Sequence, residues 1–162
     1  MQRDEWYVAW VVTGQEQTLL HKLQQVDGIE QSLCPQQSLW LRRAGSWTSR
    51  KQLLFPGYIF LRCRMNAAIY YAIKALPGVL GWLGRDTLWP TTVRQEEMHA
   101  VLALAQGDTG VLQSVEIHKR QRRGYGTLTL QGKSYRIPFN IYDKQTEELP
   151  GDTSPEAEPA EQ

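Results

Sequence analysis

The 162-residue sequence predicts an α+β fold, in which an antiparallel β-sheet flanked by helices is followed by a small all-β unit. Three observations lead there. Residues 53–61, LLFPGYIFL, form an apolar run entered through a Pro-Gly turn, with Phe55, Tyr58 and Phe60 close together. In extended backbone Tyr58 and Phe60 share one face while Ile59, Leu61 and Cys63 share the other, so this strand is central or covered on both sides. Around it, strand-like and helix-like segments alternate as far as Gln106, whereas only short strand-like runs follow residues 107–110. The aromatic face reads either as core, where such rings mostly lie, or as a docking surface.

Residues 6–12, WYVAWVV, are aromatic and β-branched and predict the first strand, with Trp6, Val8, Trp10 and Val12 on one face. Thr13 is placed to cap a helix over residues 15–26, with Glu16 in the capping-box position. Leu19, Leu20 and Leu23 form its apolar stripe, while Gln17, Thr18, His21, Lys22 and Gln25 lie outside it; of these His21 and Lys22 could meet phosphate, although such a face is usually just solvated. Residues 29–41 are extended, with a break at Cys34-Pro35. Then RRAGSWTSRK predicts a basic hairpin tip, Arg42, Arg43, Arg50 and Lys51 bracketing Ala44-Gly45-Ser46, from which the chain returns as the central strand. Residues 65–76 predict a helix capped by Asn66 with Ile69, Ala72, Ile73 and Leu76 along one side; Tyr70, Tyr71 and Lys74 point elsewhere. Pro77-Gly78 ends it before a short strand at residues 79–83. Thr92 is placed to cap a last helix over residues 93–105, with Glu96 and Glu97 near its positive end and Met98, Val101, Leu102 and Ala105 inward.

Beyond the linker at residues 107–110, strands are expected at residues 111–117, 125–130 and 134–141, with Gln131-Gly132 in a tight turn and the dense basic loop KRQRR at residues 119–123. So small a set of strands is marginal alone and must lean on another surface. The expected organisation is therefore residues 1–106, 107–144 and a disordered acidic tail at 145–162 that contains Pro150, Pro155 and Pro159.

The net charge of +1 conceals a segregation. Residues 1–144 carry 18 Lys/Arg against 11 Asp/Glu, and residues 145–162 carry none against 6. A basic folded part permits contact with nucleic acid. Trp47 within the basic hairpin adds a stacking plane to the phosphate-binding side chains, although a hairpin tip of this kind also serves simply as a solvated turn.

Cys34 and Cys63 share no metal-like spacing with each other or with His21, His99 and His118, which predicts free thiols. The start MQRDEW carries no signal pattern, and no apolar run approaches the roughly 18 residues of a spanning helix, so a soluble cytoplasmic protein is expected. No Gly-rich phosphate loop, Ser/His/Asp or Cys/His arrangement is present, so the chain is expected to be a non-enzyme without cofactor or metal.

WYVAWVVTGQE, LLFPGYIFL, ALPGVLGWLG and the helix after WPTTVRQEEM, in that order, resemble the N-terminal domain of the NusG family of transcription elongation factors over about residues 5–106. WLRRAGSW before FPGY is similar to specialised paralogs of the LoaP and RfaH kind. The resemblance implies a factor that rides on RNA polymerase, packing an apolar face on the β′ clamp helices, bridging toward the β gate loop and opposing pausing and termination at specific operons. By position, Trp10, Phe55, Tyr58 and Phe60 would form the clamp-helix face, and Tyr58→Ala or Phe60→Asp would abolish polymerase binding. Thr13, Gln17, His21, Lys22 and Lys74 would meet the non-template DNA strand or nascent RNA, with Arg42 and Arg43 adding basic contacts. A monomer is expected.

Two departures stand out. Ile69, Tyr70, Tyr71 and Ala72 occupy the positions of a polar His-Thr run that touches the gate loop, and Leu76 and Pro77 replace a basic pair near the DNA-reading loop. The C-terminal part resembles the middle and end of the family's KOW module, a five-stranded barrel that contacts Rho or a ribosomal protein, without its opening strand. The truncation leaves an edge that must be paired or hidden against the first domain, and the β-branched and aromatic content of residues 125–141 argues against a helical hairpin. The alternative is a stand-alone RNA or single-stranded DNA binding protein using Arg42, Arg43, Arg50, Lys51 and the KRQRR loop.

Overall fold

The computed structural model describes residues 4–83 and 89–141; the acidic segment 145–162 and the end of the expected C-terminal unit lie outside the described residues. In chain order the elements are β1 (Glu5–Val11), α1 (Glu16–Leu23), β2 (Ile29–Leu33), β3 (Gln36–Arg43), β4 (Ser46–Leu53), β5 (Tyr58–Cys63), α2 (Ala67–Lys74), β6 (Val79–Trp82), α3 (Gln95–Ala105), β7 (Gln113–His118), β8 (Arg123–Leu130) and β9 (Lys133–Asn140). Short 3₁₀ turns at Thr109–Val111 and Lys119–Gln121 flank β7. The α+β class is as expected.

Strands β2-β5-β1-β6 form an antiparallel sheet with the FPGY-led strand β5 inside it. Alternation assigns its two faces as the sequence predicts. Ile59, Leu61 and Cys63 join Tyr7, Ala9 and Val11 beneath α1 and α2, which contribute Leu19, Leu23, Ile69 and Ile73. Phe60 and Val8 face the other way, toward Met98, Val101 and Leu104 of α3 and toward Leu112, Leu128, Leu130, Ile137 and Phe139 of the C-terminal region. The three-stranded sheet β7-β8-β9 thus leans on the open face of the first sheet. Each of those side chains contributes about 1.5–3 kcal/mol on full burial, which is the support that three strands lack alone.

Five local expectations are corrected, the first on α2, where Tyr70 is buried with Ile69 and Ile73 and Ala72 is exposed. Thr13 does not cap α1; its N-cap is Gln15, without a side-chain bond. The buried Glu16 carboxylate instead accepts the Gly14 N–H at 2.8 Å and the Gly57 N–H at 2.7 Å, fastening the helix start to the turn before β5. Thr92 does not cap α3, because the neighbouring Val93 N–H donates to the Trp6 carbonyl at 2.8 Å and holds the chain extended until Arg94. The inward side of α3 is Glu97, Met98, Val101 and Leu104; Ala105 is exposed and Leu102 half-buried. The basic hairpin does not return into the central strand either. Its second arm, β4, pairs only with β3 as a separate two-stranded sheet, and β5 begins after the Pro56-Gly57 turn. Asn66 does cap α2, accepting the Ile69 N–H at 2.9 Å.

Ala44 and Gly45 join β3 to β4 with φ of 51° and 80°, and Gln131 and Gly132 join β8 to β9 with φ of 50° and 85°. Both are two-residue loops with left-handed backbone, the geometry that matches hairpin twist.

Candidate functional site

The aromatic face is built on β1 and β5, where antiparallel register sets Trp10 opposite Tyr58 and Val8 opposite Phe60 on one side of the sheet. Phe60 is fully buried and Phe55 nearly so, their rings edge to face at 5.5 Å; Tyr58 is half-buried and Trp10 is 50% exposed. Tyr135 of β9 closes over them. Its ring stands edge to face with Phe55 at 5.6 Å and with Tyr58 at 6.0 Å, and its hydroxyl donates to the Tyr58 hydroxyl at 3.5 Å. Burial, and then this hydrogen bond, push the Tyr135 phenol well above its ordinary range. The four predicted side chains therefore divide: three lie under or beside the C-terminal sheet, and Trp10, across from Tyr58 on β1, stays open.

Polar contacts ring this apolar centre. The Glu97 carboxylate accepts the Gln131 N–H at 3.1 Å, and the Gln131 amide donates to the Thr91 carbonyl at 3.1 Å. On the opposite side the Gln37 amide donates to the Pro138 carbonyl, the Trp40 N–H to Asn140 Oδ1 at 2.9 Å, and Arg123 Nη2 to the Trp40 carbonyl at 2.8 Å. An apolar middle with a hydrogen-bonded rim is the anatomy of a protein–protein interface, here made within one chain.

The predicted nucleic-acid residues fall into two groups. Thr13, Gln17, His21 and Lys22 are all exposed at the start and along the outer side of α1. Lys74 is exposed at the end of α2, its Nζ 3.5 Å from the Tyr70 hydroxyl and 5.5 Å from that ring's centre. The two helices share the layer over Tyr7, Ala9 and Val11, so this group lies on the side of the sheet away from the aromatic face.

Arg42 and Arg43 separate, because adjacent strand residues point oppositely. Arg42 lies opposite Trp47 and on the same side as Trp40, whereas Arg43 shares the other side with Leu39 and Arg50. The guanidinium of Arg42 lies 5.9 Å from the Trp47 ring centre, and Arg122 of the KRQRR loop lies 4.8 Å from the same ring and 5.3 Å from Trp40. Two basic segments distant in sequence thus meet across two indoles.

Sequence reasoning missed Tyr135, Glu97 and Gln131 as contacts between the two regions. The alternation of Tyr135, Ile137 and Phe139 in β9 was the available signal, since an apolar strand face requires a cover. Cys63 and Cys34 are free, and burial pushes their thiols up to about 11 and about 12, which leaves both as unreactive thiols. Among the described residues no group of three or more His, Cys, Asp or Glu side chains could hold a metal, and no helix is long and apolar enough to cross a membrane.

A family model described as "Transcription termination factor nusG" matches residues 4–102. The transcription termination/antitermination protein NusG of Escherichia coli K12 is 23% identical over 109 residues, covering 62% of this chain and 59% of that protein. The Pseudomonas aeruginosa protein of the same name is 26% identical over 104 residues, covering 60% and 59%. The chain spans about 59% of the length of these relatives. A solved structure described as "Domain interaction in Thermotoga maritima NusG" superposes with a TM-score of 0.60 at 17% identity, covering 86% of this chain and 94% of that one, a likeness of fold.

Proposed function

The chain belongs to the NusG family of transcription termination/antitermination factors, and from that premise we propose a specialised paralog of the LoaP and RfaH kind that docks on elongating RNA polymerase and suppresses pausing and termination at selected operons. Trp10, Phe55, Tyr58 and Phe60 form its face for the β′ clamp helices. Thr13, Gln17, His21, Lys22 and Lys74 meet the non-template DNA strand or the nascent RNA, and the β gate loop is a further contact. Residues 1–106 act as the docking unit, 107–144 as a shortened KOW-like unit and 145–162 as an acidic tail, in a cytoplasmic monomer. Binding is the whole mechanism.

The observation that carries this reading is the closure of the aromatic face by Tyr135 and its sheet. Before the clamp helices can reach Tyr58 and Phe55, β7-β8-β9 must move off. The interface suits reversible use: of the three buried side-chain polar atoms without a partner among the described residues, two, Arg123 Nε and Gln131 Oε1, belong to residues that tie the C-terminal sheet to the first part of the chain. Each such atom costs about 1–3 kcal/mol, which weakens the docked arrangement. Once released, the C-terminal sheet is free to take a partner such as a ribosomal protein or Rho.

Co-sedimentation with core RNA polymerase and with a stalled elongation complex tests the proposal. Wild type is expected to bind weakly, Tyr135→Asp more tightly, and the double variant Tyr135→Asp/Tyr58→Ala not at all. Failure of every form to bind either target overturns it.

A further inference from the structure

We propose that Arg42, Trp47 and Arg122, with Lys119 and Arg120, form one binding platform for single-stranded nucleic acid, and that this platform exists only while the C-terminal sheet is docked. The inference rests on the docked and undocked forms invoked above, but not on polymerase binding itself.

Neither half has the necessary parts alone. The hairpin supplies the planar face of Trp47 with Arg42 against it, and the loop after β7 supplies Arg122, whose guanidinium lies over both Trp47 and Trp40. A guanidinium held against an indole by the ring's electrons adds a fixed positive charge beside the aromatic plane. Lys119 and Arg120, both exposed, precede it in the same 3₁₀ turn. Residues 36–53 and 119–123 together hold eight Lys/Arg and no Asp/Glu, so these two segments both bring positive charge to the seam. Cations that follow a phosphate backbone beside a half-exposed aromatic plane match single strands, whose bases are free to stack. A folded acidic protein would use the charge but not the ring.

The join between the halves depends on docking. Trp40 is held by Asn140 and Arg123 of the C-terminal sheet, and Arg122 sits at the first turn of that sheet. When the sheet leaves Tyr58, Arg122 leaves Trp47. A ligand that binds only the assembled platform stabilises the docked form and so opposes exposure of the aromatic face. Nucleic acid in this site and polymerase on that face are therefore antagonists.

The test uses the full chain without polymerase. Fluorescence anisotropy is followed with a labelled 20-nucleotide RNA and with single-stranded DNA of the same sequence, across a salt series. Wild type is expected to bind with a log–log salt slope of about −3, from four phosphate contacts at about 0.7 each on single strands. Trp47→Ala is expected to weaken binding roughly five- to 150-fold, the range for one lost stacked base. Arg42→Gln and Arg122→Gln should each flatten the slope by about 0.7. Preference for RNA assigns the site to the transcript, and preference for DNA assigns it to the displaced strand; either supports the proposal. Amide hydrogen exchange on wild type, which avoids any folding defect of a variant, should show β9 and β3 better protected with the oligonucleotide bound. No binding, indifference to Trp47→Ala, or unchanged exchange would overturn the composite site. Polymerase binding is read separately, so either proposal can fail alone.

Discussion

The hydroxyls of Tyr58 and Tyr135 lie 3.5 Å apart, their rings edge to face, although the two residues are 77 positions apart in the chain. One belongs to the face expected to meet polymerase and the other to the sheet that covers it. On the proposed function their contact makes the availability of the face depend on an intramolecular equilibrium, so changes at Tyr135 should alter polymerase binding without replacing the docking residues.

Tyr135→Ala removes a half-buried ring from contact with Phe55 and Tyr58. A loss of about 1–3 kcal/mol in docking is expected, combining apolar burial with two edge-to-face pairs. Hydrogen exchange should accelerate in β8 and β9 while β1 and β5 keep their protection. Uniform acceleration across all four strands would show that the C-terminal sheet is an inseparable part of one cooperative unit.

Docking should weaken in alkali. The Tyr135 phenol is raised above its ordinary value of 10.0, first by burial and then by the bond to Tyr58. Its neutral form is therefore favoured when docked, so this stability is complete below pH 10 and is lost as pH rises beyond it. Tyr7, raised to about 12 mainly by burial under the helices, acts in the same direction on the first sheet. Tyr135→Phe separates the two: it should abolish the alkaline change in β9 exchange and leave that of β1.

Glu16 should matter more for stability than its place on a surface helix suggests. One carboxylate oxygen accepts the Gly14 N–H and the other the Gly57 N–H. Glu16→Gln keeps only one good acceptor and is expected to cost about 1–3 kcal/mol in urea unfolding, with Glu16→Ala costing more. Thr13→Ala, in contrast, should be nearly silent, since Thr13 is exposed and Gln15 occupies the N-cap.

Phe60 and Tyr58 should separate in a stability assay. Phe60 has no solvent exposure and packs among Val8, Val101 and Leu130, so Phe60→Ala is expected to lose about 3–5 kcal/mol and Phe60→Asp to unfold the chain. Tyr58→Ala should lose no more than about 3 kcal/mol and keep the far-ultraviolet dichroism of wild type. Of the two substitutions that the sequence suggests for testing polymerase binding, only Tyr58→Ala isolates the docking face.

Local regularities are legible in the amino-acid order. The two apolar faces of β5, the Asn66 cap, the turns at Ala44-Gly45 and Gln131-Gly132 and the all-β character of the C-terminal region each depend on residues a few positions apart. The caps expected at Thr13 and Thr92 failed because a distant partner won: Gly57 engages Glu16, and Trp6 holds Val93. Among the candidate site residues, the exposed line from Thr13 to Lys22 is readable from helix periodicity, whereas the separation of Arg42 from Arg43 follows only from β3 being a regular strand.

By itself the sequence determined the α+β class, the family and the chemical character of each segment, because side-chain alternation, turn residues and charge are local quantities. Only the tertiary structure decided that Tyr135 covers Phe55 and Tyr58, and that Arg123 reaches the Trp40 carbonyl across 83 positions. Such contacts form where two apolar faces, each incomplete alone, exclude water together. A face records that it needs a cover, but not which segment of the chain will supply it.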